Sequence, residues 1–236
     1  MSMKMANILG TMGLCLFSSL LLAGQDLKKD LQAMATYLKE VDQLHLDVSV
    51  GIYRTSTSAA PHMEPTVQLY KKGKNYYYHL QETEMFVTPT SLIMVQEATK
   101  RILYRTIAEK EYKQLLRSMS ATAADTLIQQ YDSIRYKGTE KKGKHYIIYT
   151  SSKVIQRTEV YLNPSTYMME KVVYHYDPVK FKEFKRVDIQ FVTRGLQPPE
   201  LENYLKESAF VGKGGKKTLL PGERYKGYRV EVIENP

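Results

Sequence analysis

The chain has 236 residues, 43% hydrophobic and 25% charged, with 34 Lys and Arg against 25 Asp and Glu for a formal net charge of +9. These proportions exclude a disordered tail, a collagen-like fibre and a multi-span membrane protein. Cys15 is the single cysteine, so a disulfide framework is excluded as well.

The one long apolar run is N-terminal. Lys4 precedes an uncharged stretch from Ile8 to Ala23, and Gln25, Asp26, Lys28 and Lys29 then restore polarity. This is the pattern of a secretory signal peptide over residues 1–24, with Ala23-Gly24 as the processing site. A retained anchor is the competing reading, but the run is short against the roughly 20 residues a span needs. Removal of the leader takes Cys15 with it, and thiolate catalysis and Cys-ligated metal then drop out. Export also argues against a nucleic-acid partner. Most of the basic clusters at Lys71–Lys74, Lys141–Lys144, Lys180–Arg186 and Lys213–Lys217 fall at apparent turns, as solvated faces or as sites attracting anionic lipid or an acidic partner.

Asp26 is placed to cap a helix in which Leu27, Leu31, Met34, Ala35, Leu38 and Val41 recur at spacings of three and four, with Asp30 on the polar side. The period then changes to two: Leu44, Leu46, Val48, Val50 and Ile52 alternate with His45, Asp47, Ser49, Gly51 and Tyr53, which predicts a strand with one dry face. A polar loop over Thr55–Pro65 leads to predicted strands at Thr66–Lys71, Asn75–Leu80, Thr83–Val87, Ser91–Gln96 and Arg101–Ile107. Connections this short favour an antiparallel meander.

Tyr112, Leu115, Leu116 and Met119, then Leu127, Ile128, Tyr131 and Ile134, fit one or two helices broken near Ser118–Thr122. Strands return at Ser133–Lys137, His145–Ser151, Arg157–Leu162, Met168–Tyr176 and Arg186–Arg194. The tail carries a helical turn over Glu200–Lys206, a Gly-rich basic turn from Gly212 and a last strand at Tyr228–Ile233. No linker or repeat demands a second domain, and residues 25–195 read as one domain with a basic extension at 196–236 packed on it.

Catalytic signatures are absent. The histidines at 45, 62, 79, 145 and 175 show no H-E-x-x-H or paired i, i+4 spacing, so no metal is expected. His79, Glu82 and Glu84 are the nearest approach to an acid/base cluster, and they read equally as a polar turn. Gly212-Lys-Gly-Gly-Lys-Lys-Thr218 does not meet the phosphate-loop spacing. Neither a nucleophile elbow nor a dinucleotide fingerprint appears, and the expectation is a non-enzyme without cofactor. The 19 tyrosines and 11 methionines have two readings that stay level: cross-strand packing, or the adaptable lining of an apolar cavity.

The order of helix, meander, central helices and further strands resembles the periplasmic outer-membrane lipoprotein carrier family, the LolA-like proteins. The resemblance is carried by Leu27-x3-Leu31 running into Leu44-His-Leu-Asp-Val-Ser-Val50, by Gln68-Leu-Tyr-Lys-Lys-Gly-Lys-Asn-Tyr-Tyr-Tyr-His79, and by Glu84 to Tyr104. In the second half it is carried by His145-Tyr-Ile-Ile-Tyr149, Arg157-Thr-Glu-Val-Tyr-Leu-Asn-Pro-Ser165 and Lys171-Val-Val-Tyr174. It covers residues 26 to 195; the Thr55–Pro65 insert and the tail from Leu196 depart from it.

The resemblance implies an α+β fold, an incomplete antiparallel β-barrel whose concave face is covered by helices. It also implies a periplasmic, monomeric carrier or chaperone that takes the acyl chains of lipoproteins or lipids into an apolar cavity and hands them to an outer-membrane receptor. Burying a 16-carbon chain contributes up to roughly 12 kcal/mol at about 0.8 kcal/mol per CH2, so release needs a movable lid. The candidate lining is Leu46, Val48 and Val50, then Leu69, Tyr76 and Tyr78, then Met85 and Met94, with Leu115, Leu116 and Met119 from the lid. Each reads equally as core, and a slip of one residue exchanges Tyr76 and Tyr78 for Tyr77. The alternative is a non-enzymatic envelope interaction module of a secretion or surface-assembly complex, with the basic tail and Tyr-rich strands offering an edge for strand addition.

Overall fold

A computed structural model describes residues 26–120, 131–140, 143–150, 154–194, 199–214 and 218–234. The predicted signal peptide and the helical pattern at Leu127 and Ile128 lie outside them. Helix α1 covers 26–40 and helix α2 covers Glu109–Ser120. The strands are β1 (Gln43–Tyr53), β2 (Thr66–Lys72), β3 (Asn75–Leu80), β4 (Thr83–Val87), β5 (Ser91–Gln96), β6 (Arg101–Thr106), β7 (Ser133–Glu140), β8 (Gly143–Tyr149), β9 (Ile155–Leu162), β10 (Met169–Tyr176), β11 (Arg186–Arg194), β12 (Val211–Lys213), β13 (Leu219–Pro221) and β14 (Arg229–Val232).

Twelve strands form one open sheet in the order β14-β6-β5-β4-β3-β2-β1-β11-β10-β9-β8-β7, and β12 and β13 form a separate hairpin. The α+β class with an unclosed, mainly antiparallel sheet agrees with the expectation. The exception is β14, which pairs parallel to β6. Residue contacts divide the chain into two compact units. Unit 1 holds the described residues up to Leu38, Ile52–His62 and those from 131 to Ile189; unit 2 holds Lys39–Gly51, those from Met63 to Ser120, and those from Gln190 onward.

In unit 1, Leu27, Leu31 and Met34 of α1 are buried, as are Ile134, Tyr146, Ile148, Val160, Leu162 and Val172 of β7 to β10. Ile134 therefore belongs to a strand and not to the central helical pattern. Asp30, expected on the polar side of α1, is buried too. It accepts hydrogen bonds from Lys144 Nζ at 2.8 Å and the Tyr146 hydroxyl at 2.7 Å, which supplies the partners a buried carboxylate requires. Ala35, by contrast, is exposed.

In unit 2, β2 to β6 are joined by tight turns. Gly73 adopts φ +57° in the two-residue loop between Lys72 and Asn75, a conformation glycine takes at no steric cost. Helix α2 opens with Glu109 and Glu111 in its first turn, where carboxylates complement the helix dipole. Its Tyr112, Leu115 and Leu116 fall on one side by the i, i+3, i+4 rule. The tail is part of the unit 2 core: Phe210, Val211 and Tyr225 are all buried there, with Leu205.

Candidate functional site

Five of the residues expected to line a cavity, Leu46, Leu69, Tyr78, Met85 and Met94, are brought into one row in unit 2 by strand register. Leu46 pairs with Leu69, Leu69 with Tyr78, Tyr78 with Met85, Met85 with Met94, and Met94 with Leu103. Directly opposed residues share a face of the sheet, so six apolar side chains from six successive strands form one row. Leu46 is buried and the other five are half-buried. Sequence reasoning missed Leu103 because β6 alternates too weakly to declare its face.

A second row on that face runs Leu44, Lys71, Tyr76, Val87, Leu92 and Arg105. Here α2 lies over the sheet. Tyr112 packs in one cluster with Val87 and Ile107, and Tyr76, Tyr78, Met85, Leu92, Leu115 and Leu116 pack against it. The Tyr112 hydroxyl donates to the Lys74 carbonyl at 2.7 Å, and Arg105 pairs with Glu111, so α2 is fixed at one end by polar contacts. Burial raises the pKa values of Tyr76 and Tyr78 and takes Tyr112 to about 12, which keeps these phenols neutral. Lys71 is buried with its ammonium directed at the Lys39 and Val41 carbonyls at the end of α1, a favourable place for a cation.

Beyond the first row lie Val48, Val67 and Leu80, and cover falls away: Leu80 is 44% exposed. Val50, still farther along β1, is half-buried and its amide bonds to Pro65. The expected single dry face of β1 ends here, because Gly51 and Tyr53 are the buried residues of its last turn of alternation. Met119 falls in α2, but its side chain is outside the described residues.

The opposite face of β2 to β6 is sealed. Tyr70, Tyr77, Phe86, Ile93, Val95 and Ile102 are at most 3% exposed beneath Leu205, Phe210, Val211 and Tyr225. Tyr77 thus separates from Tyr76 and Tyr78, which settles the register question. Phe86 stacks on Phe210 with ring centroids 5.0 Å apart. Glu84, fully buried, accepts through one oxygen from the Tyr77 hydroxyl at 2.5 Å, the Tyr225 hydroxyl at 2.8 Å and Arg224 at 3.2 Å. Burial and the neighbouring Glu84 push both phenols upward, so they remain donors. His79 is the register partner of Glu84, yet the carboxylate is committed to the tail.

A separate polar cluster lies in unit 1. Glu159 accepts from His175 at 2.9 Å and Arg157 at 3.0 Å on one oxygen, and from His145 at 3.1 Å and the Tyr161 hydroxyl at 2.9 Å on the other. The His175 bond leads these contacts in holding its carboxyl down at about 2, against the opposing effect of burial. Among the described residues no group of three or more His, Cys, Asp or Glu side chains is arranged to hold a metal ion.

No protein-family model and no curated protein sequence matches the chain. Several solved structures are similar at low identity. An uncharacterized conserved protein from Thermus thermophilus is 12% identical with a TM-score of 0.43, covering 88% of this chain and 98% of its own. A LolA superfamily protein from Nitrosomonas europaea is 10% identical at TM-score 0.29 (75% and 97% covered). The Mycobacterium tuberculosis lipoprotein LppX is 10% identical at TM-score 0.37 (72% and 94% covered).

Proposed function

We propose that the half-covered apolar face beside α2 receives acyl chains of lipids or lipoproteins and shields them from water, as an extracytoplasmic carrier that performs no covalent step. One observation carries this reading: in the register-aligned row, Leu69, Tyr78, Met85, Met94 and Leu103 stay half-buried while the opposite face of the same strands is closed. Six strands at about 4.8 Å spacing give the row a length of about 24 Å, comparable to an extended long acyl chain. Met85 and Met94 at its centre are flexible side chains suited to cargo of variable shape. Helix α2, fixed through Tyr112 and Arg105, supplies partial cover, and partial cover permits release.

The test is native mass spectrometry of the protein purified from its own envelope, followed by lipid analysis of what co-elutes. A discrete lipid or acylated peptide near one-to-one, displaced by a fluorescent fatty acid, is the expected result. A Met94→Glu protein should fold normally by circular dichroism and lose the probe. Unchanged probe uptake by that folded variant contradicts the assignment of this face.

A second reading, an envelope interaction module, is favoured by β14. It is an edge strand on which Val232 is 58% exposed, with Ile233 exposed after it, and an open edge accepts an added strand. Removing Phe210–Pro236 would strip the core of unit 2, so Val232→Pro is the sharper test. Loss of an envelope partner in a pull-down, with probe binding intact, supports this reading; retention of the partner ends it.

A further inference from the structure

We infer that unit 1 carries a binding site of its own for a phosphate-class oxyanion, in the pocket beside Arg157. The pocket has a volume of about 490 Å³ and draws its walls from the 52–62 segment, β8, β9, β10 and the turn after β10. Ser56, Tyr149, Gln156, Arg157, His175 and Lys185 all line it. Each carries a group able to donate a hydrogen bond, and no carboxylate is among the lining residues. Two permanent cations and several neutral donors around one space form a set that suits an oxyanion.

The basic groups are held in place. Glu159, two positions along β9, takes Nη2 of Arg157 and Nε2 of His175 on a single oxygen. Its other oxygen is taken by His145 and Tyr161. That carboxylate is saturated, so it orients Arg157 without using the rest of its donor fork. Arg157 Nε is buried without a hydrogen-bond partner among the described residues. Lys185 is anchored too, its ammonium donating to the Pro178 carbonyl at 2.9 Å and the Phe181 carbonyl at 2.6 Å. The wall bearing Ser56 is pinned from behind, where Arg186 lies 3.8 Å over the Tyr53 ring and donates to the Ser56 and Ser58 carbonyls.

The turn that borders the pocket is also ordered. The Asp177 carboxylate accepts from the Val179 and Lys180 amides at 2.8 and 3.2 Å, and the rings of Tyr176, Phe181 and Phe184 pack with centroids 4.6 to 5.2 Å apart. Its tip leaves Val179 80% exposed, flanked by the exposed cations Lys180 and Lys182. An oxyanion in the pocket is therefore supplied either by a soluble phosphate-class ligand or by an anionic lipid headgroup against which Val179 rests. The shared chemistry is the oxyanion.

The test is an amide-resolved NMR titration of the purified chain with inorganic phosphate, followed by sedimentation with phosphatidylcholine vesicles with and without phosphatidic acid. Saturable shifts at residues 56, 156–157, 175–176 and 185 are expected, and Arg157→Gln should weaken them by about tenfold or more. Should that variant fail to fold, the wild-type shift map stands alone as the readout. Co-sedimentation only with phosphatidic acid vesicles, reduced by Val179→Asp and by free phosphate, supports the site with a lipid-borne source. Phosphate shifts without vesicle binding support it with a soluble source. The inference is overturned if phosphate produces no saturable shift at these amides, or if its shifts map to the basic turn at 71–74 instead.

Discussion

Strands β2 to β6 present two faces made of alternate residues from the same short segments, and the two differ in what covers them. Under the tail, Tyr70, Tyr77, Phe86 and Ile93 are sealed by Phe210 and Tyr225 and tied down through Glu84. Beside α2, Leu69, Tyr78, Met85 and Met94 remain half-buried. Both faces are apolar, so composition alone does not tell them apart. A face sealed by aromatic stacking and by a buried carboxylate that takes three donors serves stability, whereas the face covered by α2 among the described residues keeps apolar side chains half-buried. Substitutions on the two faces should therefore separate folding from binding.

The largest effect is expected under the tail. Phe210→Ala removes a fully buried ring and should cost about 3–5 kcal/mol in denaturant unfolding. A cost below 1 kcal/mol would show that the tail does not seal this face. Next comes Glu84→Gln, which takes the charge from a site with three donors and should cost about 2 kcal/mol, with probe affinity unchanged per folded molecule. On the other face, Met85→Ala should cost about 1 kcal/mol or less in stability, because the side chain is only half-buried. Its effect should appear in fluorescent fatty acid affinity, lowered several-fold.

The smallest effect is a pH dependence in unit 1, which asks whether a carboxylate hydrogen-bonded through both oxygens stabilises there as one bonded through a single oxygen does under the tail. The Glu159 carboxyl is depressed from about 4.5 to about 2. Its contribution is therefore complete above the unfolded value and lost as pH falls from about 4.5 toward 2. Unfolding at stepped pH should show that loss, and Glu159→Gln should reduce the slope in this window. An equal slope in the variant would remove Glu159 from the acid response.

Much of the strand layout was legible because period-two alternation and turn residues mark it locally. Thr66, Asn75, Thr83, Ser91 and Arg101 begin β2 to β6 as read, and the ends agree within a residue. The apolar row was legible apart from Leu103, since Leu46, Leu69, Tyr78, Met85 and Met94 lie at matching positions of successive hairpins. What escaped depends on distant partners. Asp30 looks like a surface residue until Lys144 and Tyr146 arrive from more than a hundred positions away. Glu84 reads as part of a polar turn until Arg224 and Tyr225 reach it. The tail's elements are mostly three to five residues long, too short for periodicity to register. Its core role also depends on close approach, as at Gly222, where a Cβ would lie 2.3 Å from the Ala209 carbonyl oxygen.

The central claim is that the face beside α2, and not its sealed counterpart, holds acyl chains. Photo-crosslinking with a diazirine fatty acid, followed by peptide mapping of the adducts, tests it most directly. The account predicts adducts concentrated on Leu69, Tyr78, Met85, Met94 and Leu103, competed by unlabelled fatty acid and lost in folded Met94→Glu. Competable adducts confined to the tail, or to unit 1 with none in this row, would contradict it.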